Sequence, residues 1–320
     1  MKAIQANAFG DSSVLHLAEL DVPEPGPGEV RARVAAAGVN PVEVYIRNGG
    51  YPAYTPDLPY VPGFDAAGVV DAVGAGVHEL APGARVFVAS KRSGTYAEYV
   101  VAAADSVRPL ADTVTFAQGA SVGIPGLAAH RALFSRGGLR AGERVLIHGA
   151  SGAVGYLAVQ LAQAAGAFVI GTAGSPEGRA AVAALGVRAL DHTDPGHYAE
   201  VRRLTDGAGV DLIVEMLANE NLVADFDALA KYGRIVVVGN RGSLDFNPRL
   251  LMGKDADVRG LATWNFPPDL RAAALADLGT RLADGSLVPL VGRTFPLAEA
   301  ARAQDHVMTS RALGKVVLAV

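Results

Sequence analysis

The sequence contains no cysteine among its 320 residues. Disulfide bonds, thiolate metal sites and a cysteine nucleophile are therefore excluded. An excess of one charge is also missing, since the formal net charge is only -4 and the lysines and arginines form no cluster. Nucleic acids and anionic membranes attract proteins through basic patches, so we expect neither as a partner.

Long uninterrupted hydrophobic runs are missing as well, although 50% of the residues are hydrophobic. The most apolar stretch, Val154–Gly171, contains two glutamines and is divided by Gly166. It predicts a buried helix followed by a strand rather than a membrane span. No signal-peptide pattern follows Met1, so we expect a cytoplasmic protein. A chain of this length and composition can bury two cores, which agrees with a two-domain enzyme.

A glycine-rich turn lies between a short apolar run and a helical pattern in the segment Arg144–Ala165, RVLIHGASGAVGYLAVQLAQAA. The glycine spacing is GxxGxxG rather than the commoner GxGxxG. Glycines at such a turn permit a sharp bend and a close approach to a pyrophosphate, which the free N–H groups at the helix start attract. Because the required strand and helix flank the motif, it favours a dinucleotide site. The predicted phosphate-binding residues are Gly149, Ala150, Ser151, Gly152, Ala153, Val154 and Gly155.

The strand after the glycine-rich helix, predicted over Phe168–Thr172, has no acidic residue at its tip. In NAD sites an acid about 20 residues beyond the glycines binds the ribose 2′-hydroxyl. Its absence favours a 2′-phosphate, which Ser175 and Arg179 can hold, the latter through a charge-assisted hydrogen bond. We therefore predict NADPH as the cofactor. The alternative for Arg179 is a solvated charge on a helix, and the nearby Glu177 argues against a phosphate site. The predicted residues of this half of the site are Thr172, Ala173, Gly174, Ser175 and Arg179.

Two patterns of predicted structure follow one another along the chain. Up to about residue 122, short strand patterns broken by proline and glycine predict a β-rich, barrel-like domain. Residues 123–264 alternate strand and helix patterns, which predicts an α/β fold with a doubly wound parallel sheet. After a predicted helix, Pro268–Ala283, short strands return, so we expect residues 265–320 to rejoin the first domain. The predicted strands are Lys2–Ala6, Glu29–Ala37, Ala66–Val73, Arg85–Ala89, Ala97–Ala102, Arg144–His148, Phe168–Thr172, Ala189–Asp191, Asp211–Glu215, Arg234–Val238, Asp257–Leu261 and Gly314–Val320.

Five short segments carry a resemblance to a known family. They are GVNPVEVYIRNGGY from Gly38, PGFDAAGVV from Pro62, HGASGAVG from His148, EMLANENL from Glu215 and VVVGNRG from Val236. They resemble the zinc-free, zeta-crystallin-like quinone oxidoreductases of the medium-chain dehydrogenase/reductase superfamily, and the resemblance covers essentially the whole chain. It implies a GroES-like catalytic domain over residues 1–122 and 265–320, a Rossmann domain over residues 123–264, and NADPH-dependent reduction of quinones.

The resemblance also bears on zinc. Zinc-dependent relatives carry a Gly-His-Glu motif and a nearby cysteine as metal ligands, whereas the matching residues here are Gly63, Phe64 and Asp65. A phenyl ring cannot bind a metal. The seven histidines are scattered, and a spacing of five between His192 and His197 suits no helical ligand pair. We therefore predict no metal and no Lewis-acid polarisation of the substrate.

The resemblance places Asn40, Tyr45 and Tyr51 in the substrate pocket. Asn40 and Tyr45 can donate hydrogen bonds to a quinone oxygen, and Tyr51 can present its phenol or stack on the ring. A quinone is already electrophilic, so placing the ring and stabilising the developing oxyanion suffice, and solvent can supply the proton. The alternatives are that Tyr45 is a core aromatic residue and that Asn40, which precedes Pro41, is a turn or N-cap residue.

Further cofactor contacts follow from the same resemblance, at the carboxyl ends of strands. The stretch Leu217–Asn219 corresponds to a segment that faces the cofactor, and Asn240 lies where nicotinamide or ribose passes. His192 lies in a position near adenosine, although Asp191 before it departs from the family pattern. Pro125 corresponds to the floor of the active site. The predicted contacts are His192, Leu217, Asn219, Gly239, Asn240, Arg241 and Arg311, the last of which either reaches a cofactor phosphate or lies in a surface turn.

Two other functions are compatible with these residues. Reduction of the C=C bond of an enone, enal or enoyl thioester uses the same hydride donor but needs a positioned acid to protonate carbon. A non-catalytic role as an NADPH- or RNA-binding protein is the second, and the absence of basic clusters argues against it. The resemblance also implies a homodimer or larger homo-oligomer. We predict a metal-free NADPH:quinone oxidoreductase whose partner is a small-molecule quinone.

Overall fold

The chain divides into two units in a computed structural model that describes residues 1–309 and 313–320. One unit contains Met1–Pro125 and Arg271–Val320, and the other contains Gly126–Leu270. The boundaries expected after residues 122 and 264 fall a few residues before these. Arg311, a predicted cofactor contact, lies outside the described residues.

Strands make up much of both units. In chain order they are β1 (Lys2–Ala6), β2 (Leu15–Glu19), β3 (Glu29–Val39), β4 (Asp65–Val73), β5 (Arg85–Ala89), β6 (Tyr99–Ala103), β7 (Val107–Pro109), β8 (Arg144–Ile147), β9 (Phe168–Ala173), β10 (Arg188–Asp191), β11 (Val210–Glu215), β12 (Leu229–Val237), β13 (Asp257–Gly260), β14 (Val291–Pro296) and β15 (Lys315–Ala319).

The helices are mostly short. In chain order the α-helices are α1 (Pro41–Arg47), α2 (Phe116–Gly119), α3 (Gly123–His130), α4 (Ala153–Ala164), α5 (Pro176–Ala183), α6 (His197–Leu204), α7 (Ala218–Ala228), α8 (Arg249–Met252), α9 (Pro268–Ala283) and α10 (Ala300–Thr309). A π-helical turn, Arg131–Arg136, continues directly from α3. Within the described ranges, no helix combines the length and the hydropathy that a membrane span requires.

The unit Gly126–Leu270 is built on one parallel sheet. Its strand order is β10-β9-β8-β11-β12-β13, and every adjacent pair is parallel. This is the doubly wound order 3-2-1-4-5-6, so the predicted sheet is confirmed. The central strand β8 is apolar because both of its faces are covered, and Val145, Leu146 and Ile147 are fully buried. Ligands of such sheets bind at the carboxyl ends of the strands where the order reverses, which here is between β8 and β11.

The other unit is β-rich and is organised by the 11-residue strand β3. The sheet order is β14-β15-β3-β4-β5-β7, and β6 also pairs with β3. On one edge, β3 pairs first with β6 and then with the C-terminal strand β15, while β4 pairs along the opposite edge. Alternate residues of β3, Val30, Ala32 and Val34, face a core that also contains Ile4 and Leu318. The C-terminal segment therefore completes a sheet that begins in the N-terminal region.

The structure differs from the predicted elements mainly where the apolar pattern is weak. The sequence does not predict β2 and β7, and it predicts β14 only as an unplaced short strand after the helix Pro268–Ala283. Strand β2 has no buried residue that would mark it. Strand β12 begins at Leu229 rather than at Arg234. Its register against β11 shifts between Leu229 and Arg234, the stretch in which Tyr232 has a φ of 65°.

Candidate active site

The glycine-rich turn connects β8 to α4. Gly149 has a φ of +55°, which other residues rarely adopt, and a Cβ at Gly155 would lie 2.3 Å from the carbonyl oxygen of Gly149. Gly152 is the N-cap residue of α4, and no described side chain caps that end. The first N–H groups of α4 therefore remain available for an anion, as the motif predicts. The predicted residues Ala150, Ser151, Ala153 and Val154 lie in the same turn and the first turn of α4.

The tip of β9 lies beside this turn, since the Ala150 amide donates to the Thr172 carbonyl over 2.7 Å. Thr172 and Ala173 are buried. Ser175 is the N-cap residue of α5, and its hydroxyl accepts from the Gly178 amide over 3.0 Å. The segment Thr172, Ala173, Gly174 and Ser175 carries no carboxylate. The end of β9 and the residues that follow it therefore bring no acid to the first turn of α5.

Arg179 forms an ion pair with Asp191 at the tip of the neighbouring strand β10. Hydrogen bonds from Thr193, and then the charge of Arg179, hold the pKa of Asp191 below its ordinary value. Arg179 is therefore ion-paired rather than an isolated solvated charge, and its contact with a 2′-phosphate stays a prediction. Arg179 offsets the charge of Asp191, while Glu177 lies in the first turn of α5 itself.

His192 lies directly against the β9 tip. A Cβ at Gly174 would lie 2.5 Å from its Nε2 atom, so the glycine lets the imidazole lie against this backbone. The Nδ1 atom lies 3.5 Å from the hydroxyl of Thr172. The exposed ring therefore covers the segment at which the resemblance expects adenosine.

The tips of β11 and β12 are tied to one another. The Ala218 amide donates to the Gly239 carbonyl over 3.0 Å, and the Arg241 amide donates to the Asn219 side chain over 2.8 Å. A Cβ at Gly239 would lie 2.2 Å from the carbonyl oxygen of Met216, which explains the glycine. The structure thus brings together the predicted contacts Leu217, Asn219, Gly239, Asn240 and Arg241 at the carboxyl end of the parallel sheet.

In the β-rich unit, Asn40 is the N-cap residue of α1 and is only 4% exposed. Its amide nitrogen donates to Glu43 and to Asp65, each over 2.9 Å, and its amide oxygen accepts from Lys315. Both amide hydrogens are therefore engaged. The prediction that Asn40 donates to a substrate oxygen is corrected: in this structure Asn40 is a positioning residue at the start of α1.

These contacts belong to a buried polar group that we call the Asn40 cluster. Lys315 also donates to Asp65 over 3.0 Å, the Ile124 amide donates to the second oxygen of Asp65 over 2.7 Å, and the Tyr96 hydroxyl donates to Glu43. Burial raises the pKa of Glu43 to about 7, against the opposing effects of Lys315 and then Tyr96. The cluster joins the ends of three strands to α1, and its members are Asn40, Glu43, Asp65, Tyr96 and Lys315.

Tyr45 and Tyr51 are half-buried side chains on α1 and just after it. Burial raises the pKa of the Tyr51 hydroxyl. A third tyrosine, Tyr54, packs edge-on against Phe64 with ring centroids 5.3 Å apart, and its hydroxyl accepts from the Ser93 amide over 3.1 Å. Phe64 itself is 1% exposed, so an aromatic contact occupies the position that corresponds to a zinc-binding histidine in relatives.

Comparison with known proteins places the chain in a family. The alcohol dehydrogenase GroES-like domain matches residues 26–112, and the zinc-binding dehydrogenase family matches residues 153–278. The quinone oxidoreductase of Rattus norvegicus is 41% identical over 321 residues, which cover 99% of this chain and 97% of the relative. The chain belongs to the quinone oxidoreductases of the medium-chain dehydrogenase/reductase superfamily. The human quinone oxidoreductase is 40% identical over the same coverage.

The same family relationship holds for the fold. A crystal structure of the quinone oxidoreductase of Escherichia coli complexed with NADPH matches with a TM-score of 0.90 and 26% identity, and the match covers 100% of both chains. The expected combination of a GroES-like domain and a Rossmann-type sheet is therefore confirmed, and the protein is an oxidoreductase. Sequence reasoning missed Glu43, Asp65, Tyr96 and Lys315 as a group, although a glutamate three residues after Asn40 is a known helix-start signal.

Proposed function

We propose that the protein catalyses the NADPH-dependent reduction of quinones without a metal. The observation that carries this proposal is the carboxyl edge of the parallel sheet. It has a glycine turn open to phosphate, no acid at the tip of β9, and an adjacent acid, Asp191, that Arg179 already neutralises. The names of the relatives and the NADPH in the Escherichia coli structure support the same conclusion.

The residues present fit such a cofactor. The amides of the turn Gly149–Gly155 would hold the pyrophosphate, because a helix N-terminus attracts anions. Ser175, with Arg179 beside it, would hold the 2′-phosphate, and His192 would cover the adenosine. The nicotinamide half would pass the tips of β11 and β12, at Leu217, Asn219, Gly239, Asn240 and Arg241. NADPH bound there supplies a hydride, which with one proton converts a quinone to a hydroquinone.

The residues that stand where zinc-dependent relatives have a metal-binding motif support chemistry without zinc. Phe64 offers no ligand atom, and it packs against Tyr54. Asp65 has one oxygen held by the Ile124 amide and the other by Asn40 and Lys315, so neither is free for a metal. The chain also has no cysteine. Lewis-acid activation would need ligands that this motif does not supply.

A quinone needs little further activation, and the tyrosines after β3 suit it. We assign hydrogen bonding of the quinone oxygen to Tyr45, whose hydroxyl can stabilise the charge that develops on that oxygen. Tyr51 provides an aromatic face for the ring. The Asn40 cluster positions α1 and so the tyrosine on it. Water supplies the proton that completes the hydroquinone.

An activity assay across acceptors tests this proposal. We expect NADPH oxidation with benzoquinones and naphthoquinones to exceed that with enones and aldehydes, in the continuous presence of EDTA. Faster turnover of a simple enone would instead assign reduction of C=C bonds. Activity that appears only after zinc is added would contradict the metal-free reaction.

We also propose a homo-oligomer. The parallel sheet ends in β10 on one side and in β13 on the other, and among the described residues each has one edge without a strand partner. Such edges are available for pairing with a second copy. Light scattering after size-exclusion chromatography should give a mass of at least twice 32.8 kDa.

A further inference from the structure

A buried cluster of titratable side chains lies beneath the carboxyl edge of the parallel sheet. It consists of His148, Glu215 and Asp225, which are 2%, 0% and 0% exposed. One ligand atom from each lies within 4.8 Å of the others. We call these three residues the His148 cluster. None of them has a role in the proposed reaction so far.

The imidazole of His148 joins two sides of the sheet edge. Its Nε2 atom lies 2.8 Å from Asp225 Oδ1 in α7 and 3.6 Å from Glu215 Oε2 at the end of β11. Its Nδ1 atom lies 3.2 Å from the hydroxyl of Thr172 in β9. The Tyr198 hydroxyl of α6 donates to the same Asp225 oxygen over 3.1 Å. A proton on Nε2 of His148 therefore ties β8 to α7.

The predicted cofactor segments are bonded directly to this cluster. His148 is the residue before Gly149, and its ring contacts the Thr172 hydroxyl, which His192 also approaches. On the other side, the Leu217 amide donates to Glu215, as does the side chain of Asn221 over 3.0 Å. The glycine turn and the tips of β9 and β11 thus depend on one group of hydrogen bonds.

Carboxylates outnumber groups that can carry positive charge in the cluster. Two carboxylates face one imidazole, and among the described residues Glu215 Oε2 and Asp225 Oδ2 have no hydrogen-bond partner. Buried carboxylate oxygens without donors favour protonation. Burial raises the pKa of Glu215 to about 7. Burial alone would lower the pKa of His148, but the charge and hydrogen bond of Asp225, and then the charge of Glu215, raise it above its ordinary value.

The other titratable groups that face the cluster are few. From α6 these are the rings of His197 and Tyr198, with centroids 6.3 and 6.0 Å from that of His148. His192 faces it through Thr172, and Asp227 of α7 acts on Tyr198. Burial, and then the charge of Asp225, raise the pKa of Tyr198 so far that it stays neutral. Within the neutral pH range the titration of the cluster therefore concerns His148 and Glu215.

We propose that the His148 cluster is a proton-binding site that positions the dinucleotide-binding edge and couples dinucleotide binding to proton uptake. This inference rests on the proposed binding of NADPH. The phosphates bring negative charge to the amides that follow His148 in the chain, and negative charge favours the protonated cluster. By linkage, the affinity for NADPH falls as the pH rises through the neutral range.

Calorimetric titration of the whole apoprotein with NADPH tests the coupling. Binding is measured between about pH 6.5 and pH 8.5 in buffers of different ionisation enthalpy, so that proton uptake is obtained with the Kd. The key variant is Glu215→Gln, which keeps an acceptor for Leu217 and Asn221 but does not titrate. If binding raises the pKa of the cluster by half a unit, the Kd of the wild type should increase over this pH range. That increase should be about threefold larger than the increase in the Kd of the variant.

The design separates the cluster from other titrating groups. The 2′-phosphate of NADPH titrates near pH 6 and contributes equally in both proteins, so it cancels in the comparison. Glu200→Gln is the matched control, because it removes a carboxylate from the surface of the same unit, where Glu200 pairs with Arg203. We expect Glu200→Gln to retain the proton uptake of the wild type.

Three outcomes would overturn the inference. Equal proton uptake by the wild type and Glu215→Gln would show that the cluster is not coupled, and Asp225→Asn provides the same comparison should Glu215→Gln not fold. A stoichiometric transition metal in the wild type that is lost in His148→Gln would make the cluster a metal site. Failure to bind NADPH at any pH would contradict the proposed function and this inference with it, whereas binding without proton uptake contradicts only the inference.

Discussion

The substitution Lys315→Met removes the one cation from the Asn40 cluster while it keeps a side chain of similar length. Lys315 is 2% exposed, and its ammonium donates to Asn40 and to Asp65. Asp65 is fully buried, so the substitution leaves a carboxylate in the interior without a counter-ion. The loss should appear in the stability of the β-rich unit, to which both residues belong.

The expected magnitude follows from what Asp65 retains. Removal of one partner of a buried ion pair costs about 3–5 kcal/mol. Asp65 still accepts hydrogen bonds from the Ile124 amide and from Asn40, which places the cost near the lower end, at about 3 kcal/mol. For a unit of this size 1 kcal/mol corresponds to about 2–4 °C, so the Tm should fall by roughly 10 °C.

Scanning calorimetry on the wild type and three variants measures this loss. The control is Lys91→Met, because Lys91 pairs with Asp105 at the surface, where side chains are 50% and 56% exposed, and such pairs contribute below about 1 kcal/mol. The double variant Lys315→Met/Asp65→Asn removes both charges and should recover more than half of the loss. A Tm of Lys315→Met within about 2 °C of the wild type, or a double variant that is no more stable than Lys315→Met, would refute the reasoning.

Three further predictions concern cofactor choice, turnover and pH. Arg179→Ala leaves Asp191 without its partner and should reduce the preference for NADPH over NADH about tenfold. Fluorescence titrations with both cofactors measure this preference, and equal affinities of the wild type for NADPH and NADH would contradict the choice of NADPH. Tyr45→Phe should lower kcat about tenfold with little change in KM, because the contact forms with the developing oxyanion; full turnover with a lowered Tm would make Tyr45 a core residue instead. Because burial raises the pKa of Glu43 from 4.5 to about 7, the folded state binds more protons than the unfolded state in that window. The wild type should then lose roughly 3 kcal/mol relative to Glu43→Gln as the pH rises through it, and parallel Tm profiles of the two would disagree.

The parallel sheet could be predicted because its information is local. Strands such as β8 and β11 are short apolar runs buried on both faces, and helical patterns separate them. The bounds of α9, Pro268–Ala283, agree with the prediction for the same reason, since a proline at its first turn marks the start. The bounds of strand β14 could not be predicted, because its sequence VGRTFP contains two residues that disfavour strands. Its position is set by pairing with β15.

The candidate site was predictable only where a motif is contiguous. The turn Gly149–Gly155 is such a motif, and its glycines are explained by a positive φ and by close backbone approach. Two partners of Asn40, Asp65 and Lys315, lie 25 and 275 residues away, and no spacing in the sequence connects them. The role of Arg179 likewise depends on Asp191, which only the adjacent strand brings within reach. Long-range pairing of charges is what the sequence does not reveal.

The most direct test of a metal-free, NADPH-dependent quinone reduction is the ratio of hydroquinone formed to NADPH consumed. It is measured under nitrogen in the presence of EDTA. Limiting NADPH is mixed with excess benzoquinone and catalytic protein, and NADPH loss and hydroquinone formation are followed together. We predict one hydroquinone for each NADPH consumed, a faster reaction with NADPH than with NADH, and rates that EDTA does not change. A reaction that stops in EDTA and resumes with zinc, or no hydroquinone above the level without protein, would contradict the account.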